Sequence, residues 1–135
     1  MDGGMGDRVR DTDSMIAGMS PRLVPGVFVY RTVSGDEMAA LLPQAQGMFR
    51  EDEGISLVLP GAPDDPLAMR QITLDVHSAL DGVGLTAAVA AALAAEGIPC
   101  NIIAAHHHDH VFVPVGQAES AVAVLRALAG GHGPG

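Results

Sequence analysis

The segment Asp81-Gly82-Val83-Gly84-Leu85-Thr86 limits what this chain can fold into more than any other. Before it, Gln71-Ile72-Thr73-Leu74-Asp75-Val76-His77 alternates, with Ile72, Leu74 and Val76 on one side and Thr73, Asp75 and His77 on the other. That period of two belongs to a half-buried strand, and it suits an antiparallel sheet better than a parallel sheet covered on both faces. After it, an Ala-rich helix is predicted over residues 84–96. Its Leu85, Val89 and Leu93 lie four apart, a narrow stripe for packing on a sheet, and Gly97 fits the left-handed position that ends many helices. A second strand opens at Pro99-Cys100-Asn101. Strand, glycine loop, helix and strand read as the first half of an α+β domain built to sense a small molecule.

Around this unit the rest of the chain falls into order. Residues 1–12 are Gly- and charge-rich and are expected to be disordered. Asp13 or Ser14 caps a short helix that Ser20-Pro21 ends. A strand over 27–33, a short helix over 37–42 stopped by Pro43, and a hairpin around Glu51-Asp52-Glu53-Gly54 complete an N-terminal half over 13–60. Residues 61–68, rich in proline and acid, read as the linker, and 69–130 as the C-terminal domain. There the strands over 101–107 and 110–115 form a hairpin, the last helix spans 117–129, and 131–135 is a tail. The two β-α-β-β units suggest an internal repeat. Each lacks one helix of a full unit, and the N-terminal helix is expected to serve the first unit by permutation.

Composition excludes several classes. With 135 residues there is room for one ordinary domain or two very small ones. The charge of −9, the absence of Lys and the scarcity of aromatics leave neither a cationic stripe nor a stacking platform for nucleic acid. Cys100 is a lone thiol in an apolar strand, expected to be buried, with no base to activate it. The first twenty residues hold no apolar run of the signal-peptide kind, and the stretch 85–95 is too short for a bilayer. A cytoplasmic protein is expected.

Two motifs carry chemistry. In the loop, Gly82 and Gly84 precede a helix whose free N–H groups and positive dipole end attract a carboxylate. Ser78 and Thr86 add hydroxyls, and Asp81 can accept an ammonium, so the loop matches a zwitterion. The competing reading is a tight turn in which Ser78 or Asp81 merely caps. The run His106-His107-His108-Asp109-His110 suits Zn²⁺, Ni²⁺ or Cu²⁺, with His77 or Cys100 to complete a site. Neighbouring strand residues face opposite ways, however, so a polar hairpin tip with adventitious Zn or Ni affinity competes with a metal centre at His106, His108 and His110. Asp75, His77 and Ser78 are too close along one strand to form a triad, and no nucleophile elbow exists.

The motifs Val76-His77-Ser78-x-Leu80-x-x-Val83-Gly84-Leu85-Thr86-Ala87-Ala88-Val89, Gly97-Ile98-x-Cys100-Asn101 and His108-Asp109-His110-x-Phe112-Val113-Pro114 resemble a family of small bacterial tandem ACT-domain proteins. The N-terminal half resembles it more loosely, through Pro25-Gly26-x-Phe28-Val29 and the stretch 49–60. The resemblance implies ferredoxin-like β-α-β-β-α units in tandem, antiparallel sheets with helices on one face, and homodimers. It also implies a ligand, usually an amino acid, held at positions matching Ser78, Asp81, Gly82, Val83, Gly84, Leu85, Thr86 and Asn101.

The leading expectation is therefore a non-catalytic, regulatory, amino-acid-binding protein without cofactor, nucleic acid or membrane as partner. Its rivals are a metal-binding protein using His106 to His110 and a structural module whose sheet edges and Ala-rich helix build an oligomer.

Overall fold

A computed structural model of the chain describes residues 12–76 and 84–131. The elements are α1 (Thr12–Ala17), β1 (Pro21–Leu23), β2 (Phe28–Val33), α2 (Gly35–Leu41), β3 (Gly47–Glu51), β4 (Gly54–Pro60), β5 (Met69–Leu74), α3 (Leu85–Ala95), β6 (Asn101–Ala104), β7 (Asp109–Pro114) and α4 (Ala118–Gly131). Single 3-10 turns follow α2 and β7. All seven strands join one sheet: six run in the order β3-β4-β2-β5-β7-β6, β1 pairs with β5 off this path, and every pairing is antiparallel.

The alternation read from residues 71–76 sets the two faces. Register places Ile72 opposite Val111 and Leu23, and Leu74 opposite Asp109 and Pro21. This face carries the helices. Val89 and Leu93 of α3 and Leu125 of α4 are fully buried against Ile72, Val111 and Val113. The stripe Leu85, Val89, Leu93 is buried as its spacing requires, while Ala87, Ala91 and Ala94 stay exposed. Gly97 closes α3 at φ +72°, so that Ile98 N–H reaches back to Leu93 O. Over β2 and β4, the short α2 shelters Val33, Leu57 and Leu59 with Met38 and Leu41. It starts with a reciprocal cap: Ser34 Oγ accepts from Glu37 N–H, and Glu37 Oε1 accepts from Ser34 N–H.

The N-terminal segment departs from expectation. α1 packs against α3 and α4, not in the first half, with Met15, Ile16 and Met19 buried in the same core. β1, too short to announce itself in the sequence, pairs with β5 through Leu23↔Ile72, Arg22↔Thr73 and Pro21↔Leu74. β1 and β2 therefore succeed one another along one edge of β5, and β2 touches it only at Phe28↔Met69. The chain between them turns at Gly26, φ +106°. The N-terminal helix and strand thus complete the C-terminal unit. The β6–β7 connection also differs slightly. Residues 105–108 form the turn, closed by Ala105 N–H to His108 O, so His106 and His107 lie in the turn and not in the strand.

Candidate functional site

The loop between β5 and α3 falls partly outside the described residues, which exclude Ser78, Asp81, Gly82 and Val83. Its described end is Gly84, the cap of α3, held at φ +102° with no side chain to bond the first turn. A Cβ there would stand 2.8 Å from both Oγ1 and Cγ2 of Thr12, so α1 begins directly against the glycine. Leu85 is buried in the core and Thr86 is exposed. At the other end, Asp75 accepts two hydrogen bonds from the Arg22 guanidinium, at 2.9 and 3.3 Å. Those bonds hold its carboxyl below the usual carboxylate range. Asn101 stands elsewhere. Its register with Phe112 puts it on the sheet face away from the helices, and it lies three residues along β6 from Ala104, which pairs at the loop end. At about 3.3 Å per residue that is roughly 10 Å. The fold therefore brings Gly84, Leu85 and Thr86 together and places Asn101 apart from them.

The helix-free face is curled, not flat. A Cβ on Gly47 of β3 would sit 3.7 Å from Ile103 Cδ1 of β6 and 3.7 Å from Val58, so the two outermost strands of the path approach each other across this face. The curl encloses polar side chains without any helix above them. Gln71 is 4 % and Thr73 2 % exposed. Gln46, just before β3, donates from Nε2 to Gln71 Oε1 at 2.6 Å. Gln71 Nε2 donates to Thr73 Oγ1 at 3.0 Å and faces His110 Nδ1 at 3.3 Å, and Thr73 Oγ1 lies 3.0 Å from the same Nδ1. An amide donor aimed at Nδ1 fits an imidazole that accepts there and carries its proton on Nε2. Burial, followed by repulsion from His108, pushes the His110 pKa down, which agrees with a neutral ring. The network ties the N-terminal half, through Gln46, to the C-terminal half.

Beside it lies a groove of about 460 Å³ walled by Tyr30, Phe49, Val58 and Ile103, with Glu51, Ser56 and Asn101 as its polar groups. Phe112 holds the Tyr30 and Phe28 rings edge-on, at centroid distances of 6.1 and 6.0 Å. Phe49 is 72 % exposed. The sequence offered one signal for this face, the polar alternation of Gln71, Thr73 and Asp75. It offered none for the curl that buries the first two.

The alternative of a metal centre at His106, His108 and His110 gains no support: among the described residues, no group of three or more His, Cys, Asp or Glu side chains could hold an ion. His110 points into the Gln71–Thr73 network, and His108 Nδ1 lies 3.3 Å from Val76 O. His106 and His107 contact each other edge-on at the turn. Strand alternation directs His110 into that network, while the rings of His106, His107 and His108 gather at the turn. Cys100 is partly buried, and burial pushes its thiol pKa up, away from the nucleophilic thiolate.

Comparison with known proteins places this architecture. ACT-domain family models match twice in succession, over residues 9–68 and 68–127. The chain belongs to the ACT-domain family, whose members are regulatory, ligand-binding modules, and it carries two such domains in tandem. A Vibrio cholerae protein of unknown function, described as a possible transport protein, is 39 % identical to it. That match covers 83 % of this chain and 91 % of the other, with a TM-score of 0.73. The regulatory subunit of aspartate kinase from Thermus flavus shares the fold at 11 % identity, with a TM-score of 0.59 over 80 % of this chain and 95 % of that one. An Agrobacterium tumefaciens protein does so at 20 % identity, with a TM-score of 0.61 over 81 % and 87 %. No curated protein matches. No helix among the described residues is long and apolar enough to cross a membrane.

Proposed function

We propose that this chain is a non-catalytic regulatory protein of the cytoplasm. It binds an amino acid at the β5–α3 loop, needs no cofactor, and works as a homodimer that passes its ligand state to a protein partner. The observation that carries the reading is the glycine-capped start of α3 within the second of two ACT domains. A helix that begins on a glycine has no side chain of its own to bond its first turn, and a ligand carboxylate is the group those N–H donors prefer. Asp81 supplies the opposite charge for the ammonium, with Ser78 and Thr86 as hydroxyl partners. Among the described residues the outer strands β3 and β6 each pair on one side only, which supports association of two copies.

The test is a thermal-shift panel of the proteinogenic amino acids on tag-free protein, with Asp81→Asn and Ser78→Ala beside the wild type. A ligand at about 100 times its Kd adds roughly 2.7 kcal/mol, several degrees in Tm. One amino acid should stand out for the wild type and be lost in Asp81→Asn at unchanged ligand-free Tm. A silent panel, or an undiminished response in Asp81→Asn, rules out the reading.

A further inference from the structure

The groove on the helix-free face is separate from the loop, and its chemistry differs. We propose that it is a second binding site, for a small primary amine carried on an aromatic or branched apolar body and lacking a carboxylate.

Four observations lead there. First, its volume of about 460 Å³ lies within the range of small-molecule pockets, and its walls come from both halves of the chain. Gly47 and Val58 of the first half face Ile103 of the second, and Gln46 is bonded to Gln71 just beside them. Second, the walls are apolar and aromatic, and one of the two rings is fixed: Phe112 braces Tyr30, whose hydroxyl pKa burial pushes up. Third, the one charged group on offer is an acceptor, Glu51, and Asn101 Oδ1 is a second acceptor beside it. Ser56 Oγ donates to Glu51 Oε1, and the Asn101 amide N–H donates to Met69 Sδ at 3.7 Å. The remaining Glu51 oxygen and Asn101 Oδ1 are left for a ligand that donates. Fourth, no guanidinium lines the groove among the described residues. Register turns Arg31, opposite Leu57, and Arg50, opposite Ile55, to the helix-bearing face, and Arg22 is bound to Asp75.

A carboxylate in this groove would meet Glu51 and find no cation. An ammonium would meet the Glu51 carboxylate and the faces of Tyr30 and Phe49, each attractive to a cation. The site thus selects against the zwitterions that suit the loop, and the two proposals stand or fall separately.

The probes are 2-phenylethylamine and tryptamine, set against phenylalanine and tryptophan, with binding read by thermal shift and by amide NMR of the full chain. Both amines should raise Tm and shift the resonances of Gly47, Phe49 and Ile103, and the amino acids should not act there. Glu51→Gln, an exposed and structurally mild change, should weaken the amines roughly ten-fold, as loss of a charge-assisted hydrogen bond does. Gly47→Val, whose Cβ makes only ordinary contacts, should fill the groove and abolish the response, whereas Asp81→Asn should leave it intact. The proposal is overturned if neither amine binds, or if phenylalanine binds the groove as well as 2-phenylethylamine. It also fails if Glu51→Gln and Gly47→Val respond like wild type. A wild type that ignores both amines, with Gly47→Val splitting a dimer into monomers, would make the groove a seam between subunits instead.

Discussion

Replacing Gly84 with Ala probes the point where the loop, α3 and α1 meet. The backbone there, φ +102°, lies where a side chain is strained, at about 1–3 kcal/mol. The new methyl adds a second cost, since it would stand 2.8 Å from two atoms of Thr12, closer than carbon atoms approach without displacement. Relief requires the Thr12 side chain, and with it the start of α1, to move off α3. That displacement loosens Met15 and Ile16, both essentially fully buried. Together we expect a loss of roughly 2–4 kcal/mol, or about 6–15 °C in Tm for a chain of this size. The two causes can be separated by a double-mutant cycle in urea denaturation. Thr12→Ala removes both clashing atoms, so Gly84→Ala should cost about 1–2 kcal/mol less in that background. Additive costs would refute the α1–α3 contact, and a Gly84→Ala protein as stable as wild type would refute the left-handed cap itself. For the same reason bulky substitutions at Gly84 report on the fold before they report on a ligand.

Two smaller perturbations test other parts. Because burial lowers the His110 pKa below its unfolded value, the unfolded chain binds more protons near pH 6. Stability from this group is therefore full above about pH 6.5 and declines as pH falls through the unfolded and then the folded value. Urea titrations should show that decline, and His110→Asn should remove it; an NMR-detected His110 titration above about pH 6.5 would contradict the neutral ring. Ser34→Ala breaks the reciprocal cap of α2 and should cost about 1 kcal/mol, with faster amide exchange confined to α2. An unchanged exchange pattern would mean that Pro43 and the contacts of Met38 and Leu41 hold the helix without its cap.

Much of the second half was legible because its signals are local. Period-two alternation fixed the faces of β5, the four-residue spacing of Leu85, Val89 and Leu93 fixed the buried side of α3, and Gly97 fixed its end. The opening of β6 differs from the expected Pro99: Pro99 has no N–H to give a ladder, and pairing starts at Asn101. The groove escaped because alternation says which residues share a face and not how strongly a sheet bends. Only the approach of β3 to β6 turns Tyr30, Phe49, Glu51 and Asn101 into one site. The same bend hides Gln71 and Thr73. Their polarity pointed to solvent, but the fold answers them with Gln46 and His110 instead.

The larger lesson concerns α1 and β1. α1 is legible locally from its cap and its Ser20-Pro21 stop, but where α1 and β1 pack is not: β1 pairs with β5 about fifty residues on, and α1 packs on α3 and α4, farther still. Two successive ACT matches suggest two units that fold side by side, yet the contacts predict interdependence. Without residues 12–25, the C-terminal unit loses Met15, Ile16 and Met19, each 0–2 % exposed, and the β1 ladder along β5. At about 1.5–3 kcal/mol for each buried side chain, the loss is roughly 5–9 kcal/mol. That is comparable with the whole stability of a domain, about 5–15 kcal/mol. A fragment of residues 66–135 should therefore give a collapsed amide spectrum and a broad, non-cooperative melt. A synthetic peptide of residues 12–25 should restore dispersion when added in trans, because it returns the missing helix and strand to their flank. A fragment that melts cooperatively by itself would show that α1 and β1 decorate a finished unit. An unresponsive fragment would show that the first half supplies more than this one segment, through Phe28 on Met69 and Gln46 on Gln71.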